Sequence, residues 1–180
     1  EMGVEIDIRS NGQDLILQHD PFITGTKFYD WLKYYQHRLI ILNIKEEGLE
    51  KRILSYLNEF NIKNYFFLDQ SFPFLVKSAR QGQKQSAVRV SEYESINTVK
   101  NLAHHVNWVW IDYFTKFPMD LSEVNELKQL DFKLCMVSPE LQGYDPEIEI
   151  SKLAQLFNSS QIQLDAICTK RPALWKEVLL

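Results

Sequence analysis

The chain has 180 residues, enough for one domain with a sizeable core, and its 45% hydrophobic and 24% charged content is ordinary for a soluble globular protein. A net charge of -4, with no run rich in lysine or arginine, argues against a nucleic-acid partner. The apolar runs are too short for a transmembrane helix and no signal peptide is visible, so we expect a cytoplasmic protein.

Strand and helix patterns alternate along the whole chain. The predicted strands cover residues 4–9, 15–19 (an extension or partner of the first), 39–45, 65–68, 86–90, 106–113, 132–137 and 165–169. The predicted helices cover residues 27–37, 49–60, 72–80, 94–104, 122–130 and 147–157, with a terminal helix beginning at Pro172. Cys135 and Cys168 lie in two of these strands without a CxxC partner, so we expect buried thiols rather than a zinc site or a disulfide.

The alternation predicts a parallel sheet with crossover helices. The strand-then-helix units open at Val4, Leu39, Tyr65, Ser86, Val106, Phe132 and Asp165. This is one unit fewer than in a closed (β/α)8 TIM barrel, so we expect a single barrel domain over 1–180 whose first βα unit precedes Glu1. An open doubly wound sheet is the competing fold, but no strand is followed by the glycine-rich turn of a dinucleotide or phosphate loop.

Polar residues interrupt the apolar strands near the start of the chain. Glu5 and Asp7 are two residues apart in a strand pattern, so their side chains point to the same face, and His19 ends the next apolar run. Asn43 and Lys45 repeat this spacing in the next predicted strand. Two carboxylates and an amide oxygen suit a hard divalent cation, Mg²⁺ or Ca²⁺, so we predict a metal site at Glu5, Asp7 and Asn43.

The same residues suggest roles in catalysis and substrate binding. Lys45 is expected to bind a substrate phosphate as a point charge, and His19 to act as a general acid or base. Arg9 and Arg89 are further cations that we expect to contact the substrate. A purely structural alternative pairs Glu5 or Asp7 with Arg9, Lys45 or Arg89, since buried charges need partners.

The pattern resembles the glycerophosphodiester phosphodiesterase family, within the wider barrels that include phosphatidylinositol-specific phospholipases C. The resemblance is carried first by Gly3, Glu5 and Asp7, and then, after a short turn, by the apolar run that ends in His19-Asp20-Pro21. It continues through Leu42-Asn43-Ile44-Lys45, Ser71-Phe72 and Thr169-Lys170-Arg171-Pro172. It therefore spans the chain, with the most specific segments in the first twenty residues.

The resemblance implies a metal-assisted cleavage of a small phosphodiester, in which two histidines share the proton transfers. His19 would be one of them, and the products would be an alcohol such as choline or ethanolamine together with glycerol 3-phosphate. The family's other histidine lies in a His-Arg-Gly segment that this chain lacks, so we expect roughly 30–40 further residues upstream, the length of one βα unit. Asn43 stands where a metal-binding glutamate is usual, and Lys170 replaces an acidic residue.

Three functional hypotheses follow from these departures. The first is a metal-dependent phosphodiesterase, as the resemblance implies. The second is a barrel that has lost turnover and serves as a phosphate-ligand-binding or regulatory domain, which Asn43 favours. The third is a lyase that forms a cyclic phosphate at the same site. The sequence does not indicate the oligomeric state.

Overall fold

The computed structural model describes residues 2–179, which form an α/β fold divided into two compact units, Glu1–Ala87 and Val88–Leu180. The predicted α/β class is confirmed. The described strands form one sheet of five and one of four, and a closed barrel is not seen among residues 2–179. Within these residues no helix is long and apolar enough to cross a membrane.

The first unit is built on a five-stranded sheet with the order β3-β2-β1-β4-β5. Its strands are β1 (Val4–Asn11), β2 (Asp14–Leu17), β3 (Thr26–Lys27), β4 (Ile40–Ile44) and β5 (Tyr65–Leu68). Its helices are α1 (Phe28–Leu32), α2 (Glu50–Glu59) and α3 (Phe72–Arg80). Strands β1, β4 and β5 run parallel, whereas β2 and β3 form an antiparallel arm beside β1.

One face of this sheet carries the apolar core of the first unit. The side chains of Ile6 and Ile8 on β1 alternate with the polar ones and are buried together with Leu42 on β4. They join a cluster that includes Phe28 and Leu32 from α1 and Ile53 and Leu57 from α2. The period-two alternation therefore sends Glu5, Asp7 and Asn43 to the opposite face of the same strands.

The second unit is built on a four-stranded sheet with the order β6-β7-β8-β9. Its strands are β6 (Ala87–Val90), β7 (Trp108–Ile111), β8 (Lys133–Val137) and β9 (Ala166–Cys168). Its helices are α4 (Ile96–Lys100), α5 (Leu121–Gln129), α6 (Pro146–Ser160) and α7 (Pro172–Leu179), with a 3-10 turn over Pro139–Gln142. Strands β7, β8 and β9 run parallel and are almost wholly apolar. Buried parallel strands have this composition because both faces are covered.

Two predicted helices are shorter than the sequence pattern suggested. The segment 27–37 is helical only over Phe28–Leu32, and tight turns follow, with the Tyr34 and Tyr35 amides donating to carbonyls three residues back. The segment 94–104 is helical only over Ile96–Lys100. Both segments have helical apolar spacing, but aromatic, β-branched and asparagine residues have weak helix propensity, so short segments of this kind give way to turns.

Candidate functional site

The candidate site lies at the carboxyl ends of β4 and β5, beside the first half of β1, in the first unit. The parallel register places Asp7 beside Asn43, and Asn43 beside Leu68. Glu5 lies one pleat before Asp7, and Lys45 directly follows β4. Since the carboxyl ends of parallel strands meet at one edge of a sheet, residues far apart in sequence come together here.

Glu5 and Asn43 form the inner part of the site. The Asn43 amide nitrogen Nδ2 donates a hydrogen bond of 2.9 Å to Glu5 Oε1, and Asn43 is only 8% exposed. Burial raises the pKa of Glu5; the Asn43 hydrogen bond and Lys45 oppose this shift, while the charges of Asp7 and Asp69 add to it. The carboxyl of Glu5 therefore lies in an environment that disfavours its negative charge.

Lys45 lies between two carboxylates at the strand ends. Its ammonium nitrogen Nζ is 3.1 Å from Asp7 Oδ1 and 3.9 Å from Asp69 Oδ2. These three side chains are each less than a quarter exposed, with Lys45 at 17%. The structure thus brings Glu5, Asp7, Asn43 and Lys45 together, as the sequence pattern suggested.

Asp69 is a member of the site that the sequence-based selection left out. It directly follows β5, as Lys45 follows β4, so its place at a strand end was the available signal. Its backbone has a φ of 60°, in the left-handed region that residues other than glycine seldom adopt. Such strain is concentrated at functional sites, where surrounding contacts hold the backbone in place.

Arg9 holds two loops of the site together. Its Nε donates to the backbone carbonyl of His19 at 2.9 Å, its Nη1 donates to the carbonyl of Lys45 at 3.4 Å, and Glu46 lies 3.6 Å from the same Nη1. One guanidinium therefore ties the segment after β2 to the segment after β4. These bonds hold the two segments together, and the substrate contact expected of Arg9 stays a prediction.

His19 lies on the segment that follows β2. The Gln18 amide donates to the Asp7 carbonyl at 3.1 Å, so the backbone that carries His19 runs beside the acidic strand. The imidazole is 69% exposed, and its Nδ1 shares a hydrogen bond of 2.8 Å with Asp20 Oδ1. A carboxylate partner favours the proton on Nδ1, which leaves Nε2 as the nitrogen that can accept a proton.

Arg89, the remaining predicted substrate-binding residue, belongs to the second unit. It lies on β6, and its guanidinium forms an ion pair with Asp112, which is buried and also accepts a hydrogen bond of 3.2 Å from the Trp110 indole. Of the ion pairs that the structural alternative named, the structure has the one between Asp7 and Lys45, and Arg89 is paired with Asp112.

The donor atoms of the first-unit site suit a divalent cation. Three carboxylates, Glu5, Asp7 and Asp69, lie near the ammonium of Lys45 in a partly buried setting. In addition, Asn43 Oδ1 is buried without a hydrogen-bond partner among residues 2–179. Exchanging the positions of Oδ1 and Nδ2 by an amide flip would place this oxygen beside Glu5.

No group of three or more His, Cys, Asp or Glu side chains in the described part of the chain is arranged to hold a metal ion. At this position a cation would have Glu5 and Asp7 as carboxylate ligands and Asn43 as a third protein ligand. Carbonyl oxygens of asparagine are ordinary ligands of Ca²⁺, and Mg²⁺ is held with few carboxylates and several waters.

A small cavity of about 190 Å³ opens beside Lys45 and Asp69. Glu46, Glu47 and Glu50 contribute to its walls, as does the ring of Phe74. Glu50 is buried and accepts a hydrogen bond of 2.9 Å from Gln70. The cavity is therefore acidic and suits a small cationic group next to the ammonium of Lys45.

Comparisons with known proteins add a likeness of fold. No family model matches the sequence, and no curated protein matches it. Among solved structures, the chain is similar to a glycerophosphodiester phosphodiesterase from Agrobacterium tumefaciens, with a TM-score of 0.66 and 13% sequence identity. The match covers 98% of this chain and 85% of that one. The likeness is one of fold.

Proposed function

We propose that this chain is a divalent-cation-dependent phosphodiesterase that cleaves a glycerophosphodiester or a related small phosphodiester to an alcohol and a phosphomonoester such as glycerol 3-phosphate. The observation that carries the proposal is the grouping of Glu5, Asp7 and Asn43 with Lys45 on neighbouring parallel strands. The fold likeness to a glycerophosphodiester phosphodiesterase supports it.

Glu5, Asp7 and Asn43 are the residues that would hold the cation. When bound, a divalent cation supplies charge that polarises a phosphoryl oxygen and lowers the pKa of a bound hydroxyl or water. Lys45 would move its ammonium from Asp7 towards a substrate phosphate, and Asp69 would remain within reach to orient it.

His19 and Arg9 complete the proposed machinery in the first unit. With its proton held on Nδ1 by Asp20, His19 would use Nε2 to take a proton from the attacking hydroxyl or return one to the leaving alkoxide. Arg9 would fix the distance between the His19 and Lys45 segments through the two carbonyls it bonds. Arg89, oriented by Asp112 in the second unit, is retained as a proposed substrate-binding residue.

The acidic cavity beside Lys45 suggests which end of the substrate it receives. A positively charged alcohol such as choline or ethanolamine would be attracted by Glu46, Glu47 and Glu50. The phosphate would then lie toward Lys45, and the glycerol on the other side of the bond that breaks.

A second candidate function is a domain that binds a phosphate ligand without turning it over. It is favoured by the hydrogen bond from Asn43 to Glu5 and the ion pair between Lys45 and Asp7, because these contacts satisfy the charged groups without a cation. In that case Lys45 would still be able to bind a phosphate, but Glu5 and Asp7 would only stabilise the folded structure.

The test is release of glycerol 3-phosphate from glycerophosphoethanolamine by the full-length protein, with and without a chelator. We expect cation-dependent turnover that Asp7→Asn abolishes and that His19→Ala lowers by about 10²–10⁴-fold. Asp30→Asn, an exposed carboxylate on α1 paired with Lys33, is the matched control. Turnover that survives both the chelator and His19→Ala would overturn the mechanism, and substrate binding without turnover would favour the second candidate.

A further inference from the structure

A second pocket of the first unit lies at the amino ends of β4 and β5. Its volume is about 460 Å³, within the range of small-molecule sites. It is bounded by the segment between α1 and β4 and by the segment between α2 and β5. Arg38 comes two residues before β4 and Lys63 two residues before β5, so the pocket is at the amino ends of the strands whose carboxyl ends carry the candidate site.

The charged side chains that line this pocket are all basic. They are Lys33, Arg38 and Lys63, with His37 beside them, and no aspartate or glutamate is among the lining residues. Lys33 is neutralised by Asp30 at 2.6 Å. Within residues 2–179, Arg38 and Lys63 have no ion-pair partner, so the pocket carries about two uncompensated positive charges on a chain whose net charge is -4.

Helix ends do not account for both of these cations. Helices α1 and α2 end near the pocket, and cations near the last turn of a helix offset its exposed carbonyls. That effect fades beyond the last turn, whereas Arg38 and Lys63 lie in the segments that lead into β4 and β5. A ligand with negative charge would satisfy them more fully.

The rest of the lining combines apolar and aromatic side chains with Asn61 and Asn64. The rings of Tyr35 and His37 have centroids 5.7 Å apart, and Leu32, Phe60 and Ile62 also line the space. The Tyr35 hydroxyl is buried without a hydrogen-bond partner among residues 2–179, a rare condition for a polar atom in a folded protein. The pocket therefore combines uncompensated positive charge with an apolar, aromatic wall.

We propose that this pocket is a second binding site, which takes a small phosphomonoester carrying an apolar or aromatic group. A phosphomonoester has a charge close to -2 at neutral pH, which matches Arg38 and Lys63. The planar guanidinium of Arg38 suits bidentate contact with phosphate oxygens, while Lys63 acts as a point charge. The rings of Tyr35, His37 and Phe60 receive the apolar part.

The probe is phenylphosphonate, a phosphate monoester analogue that is not hydrolysed, titrated by calorimetry and by amide chemical shifts. We expect binding that shifts amides of residues 33–38 and 60–64, and that Arg38→Met with Lys63→Met weakens about tenfold to a hundredfold. Lys45→Met, at the candidate catalytic site, and Lys51→Met, an exposed lysine of α2, are expected to leave this affinity unchanged. Inorganic phosphate should bind more weakly than phenylphosphonate, since it lacks the ring.

Two results would overturn the proposal. One is an affinity that the double variant leaves intact. The other is binding lost only in Lys45→Met, which would assign the anion to the candidate catalytic site. Arg38→Lys keeps the positive charge but removes the planar guanidinium. Its affinity for phenylphosphonate should lie between those of the wild type and the double variant, which would show that the double variant loses a phosphate contact and not its fold. Because the readout is binding at residues outside the candidate catalytic site, its outcome is independent of phosphodiesterase activity.

Discussion

Asn43→Asp is the substitution that most sharply tests how the candidate site handles charge. Aspartate has the shape of asparagine, so the packing at this nearly buried position is kept. The change replaces a donor that lies 2.9 Å from Glu5 Oε1 with a second carboxylate. It also gives the proposed cation a third charged ligand in place of a neutral one.

The cost to the cation-free protein can be bounded from this geometry. Two ionised carboxylates about 4 Å apart repel by about 4 kcal/mol at an effective dielectric constant near 20. One of them can instead take up a proton, at about 1.4 kcal/mol for each unit between its pKa and the solution pH. From the ordinary value of 4.5 for Glu5 to pH 7, this route costs about 3 kcal/mol, and less because burial already raises the pKa of Glu5. We therefore expect a loss of about 2–3 kcal/mol, which for a chain of this size lowers Tm by about 5–10 °C.

A divalent cation should reduce this loss of stability. The extra carboxylate is expected to tighten cation binding at least about tenfold, which adds about 1.4 kcal/mol of stabilisation at a saturating concentration. Thermal unfolding is followed at pH 7 across a range of Mg²⁺ and Ca²⁺ concentrations, with Asn125→Asp on the exposed surface of α5 as the control. At pH 4 the destabilisation should shrink, because both carboxyls can then be protonated.

One contrary result is a cation-free Asn43→Asp variant with the same Tm as the wild type. The other is an added cation that stabilises the wild type and Asn43→Asp equally. Either result would mean that residue 43 does not share a charge environment with Glu5 and the proposed ion.

Three further predictions concern Glu5, Arg9 and Glu92. Burial raises the pKa of Glu5 in the folded protein, so the contribution of Glu5 to stability is largest below its unfolded pKa and is lost as the pH rises through its folded pKa. The free energy of unfolding of Glu5→Gln, measured by urea denaturation at pH 8, should therefore match or exceed that of the wild type. The variant should also lose stabilisation by cations. Arg9→Lys removes the donors to the His19 and Lys45 carbonyls, and should lower kcat about tenfold with KM and Tm little changed, a separation that a purely structural role would not give. Burial would raise the pKa of Glu92, but hydrogen bonds from the Thr115 hydroxyl and from backbone amides that include Thr115 and Lys116 lower this pKa to about 2. Glu92→Gln should therefore lower the free energy of unfolding by about 1 kcal/mol at pH 7. In acid unfolding, the difference between variant and wild type should disappear as the pH falls from 4.5 towards 2.

Period-two alternation was sufficient to place the core and the acidic pair of the first unit. Ile6 and Ile8 had to face an apolar layer, so Glu5 and Asp7 had to face away from it. The strand around Asn43 could be predicted from the sequence in the same way, and its parallel register with β1 places Asn43 beside Asp7. These inferences rest on backbone geometry, which the sequence pattern encodes directly.

The contacts of long side chains could not be obtained in the same way. Lys45 was expected to point at a substrate phosphate, but its ammonium lies against Asp7 and Asp69, an arrangement that depends on the loop after β5 and its left-handed residue. Arg9 has several possible carboxylate partners in the sequence, and only the fold shows that it bonds two backbone carbonyls. The substrate-binding role of Arg89 stays a prediction.

The most direct test of the central claim is calorimetric titration of Mg²⁺ and Ca²⁺ into the wild type, Glu5→Gln and Asp7→Asn. We expect one cation bound per wild-type chain, with affinity at least about tenfold lower in each variant, since each removes a charged ligand. Asp30→Asn should bind the cation as the wild type does. Two results would contradict cation binding at Glu5 and Asp7. One is the absence of cation binding to the wild type, and the other is an affinity in Glu5→Gln and Asp7→Asn that equals the wild-type affinity.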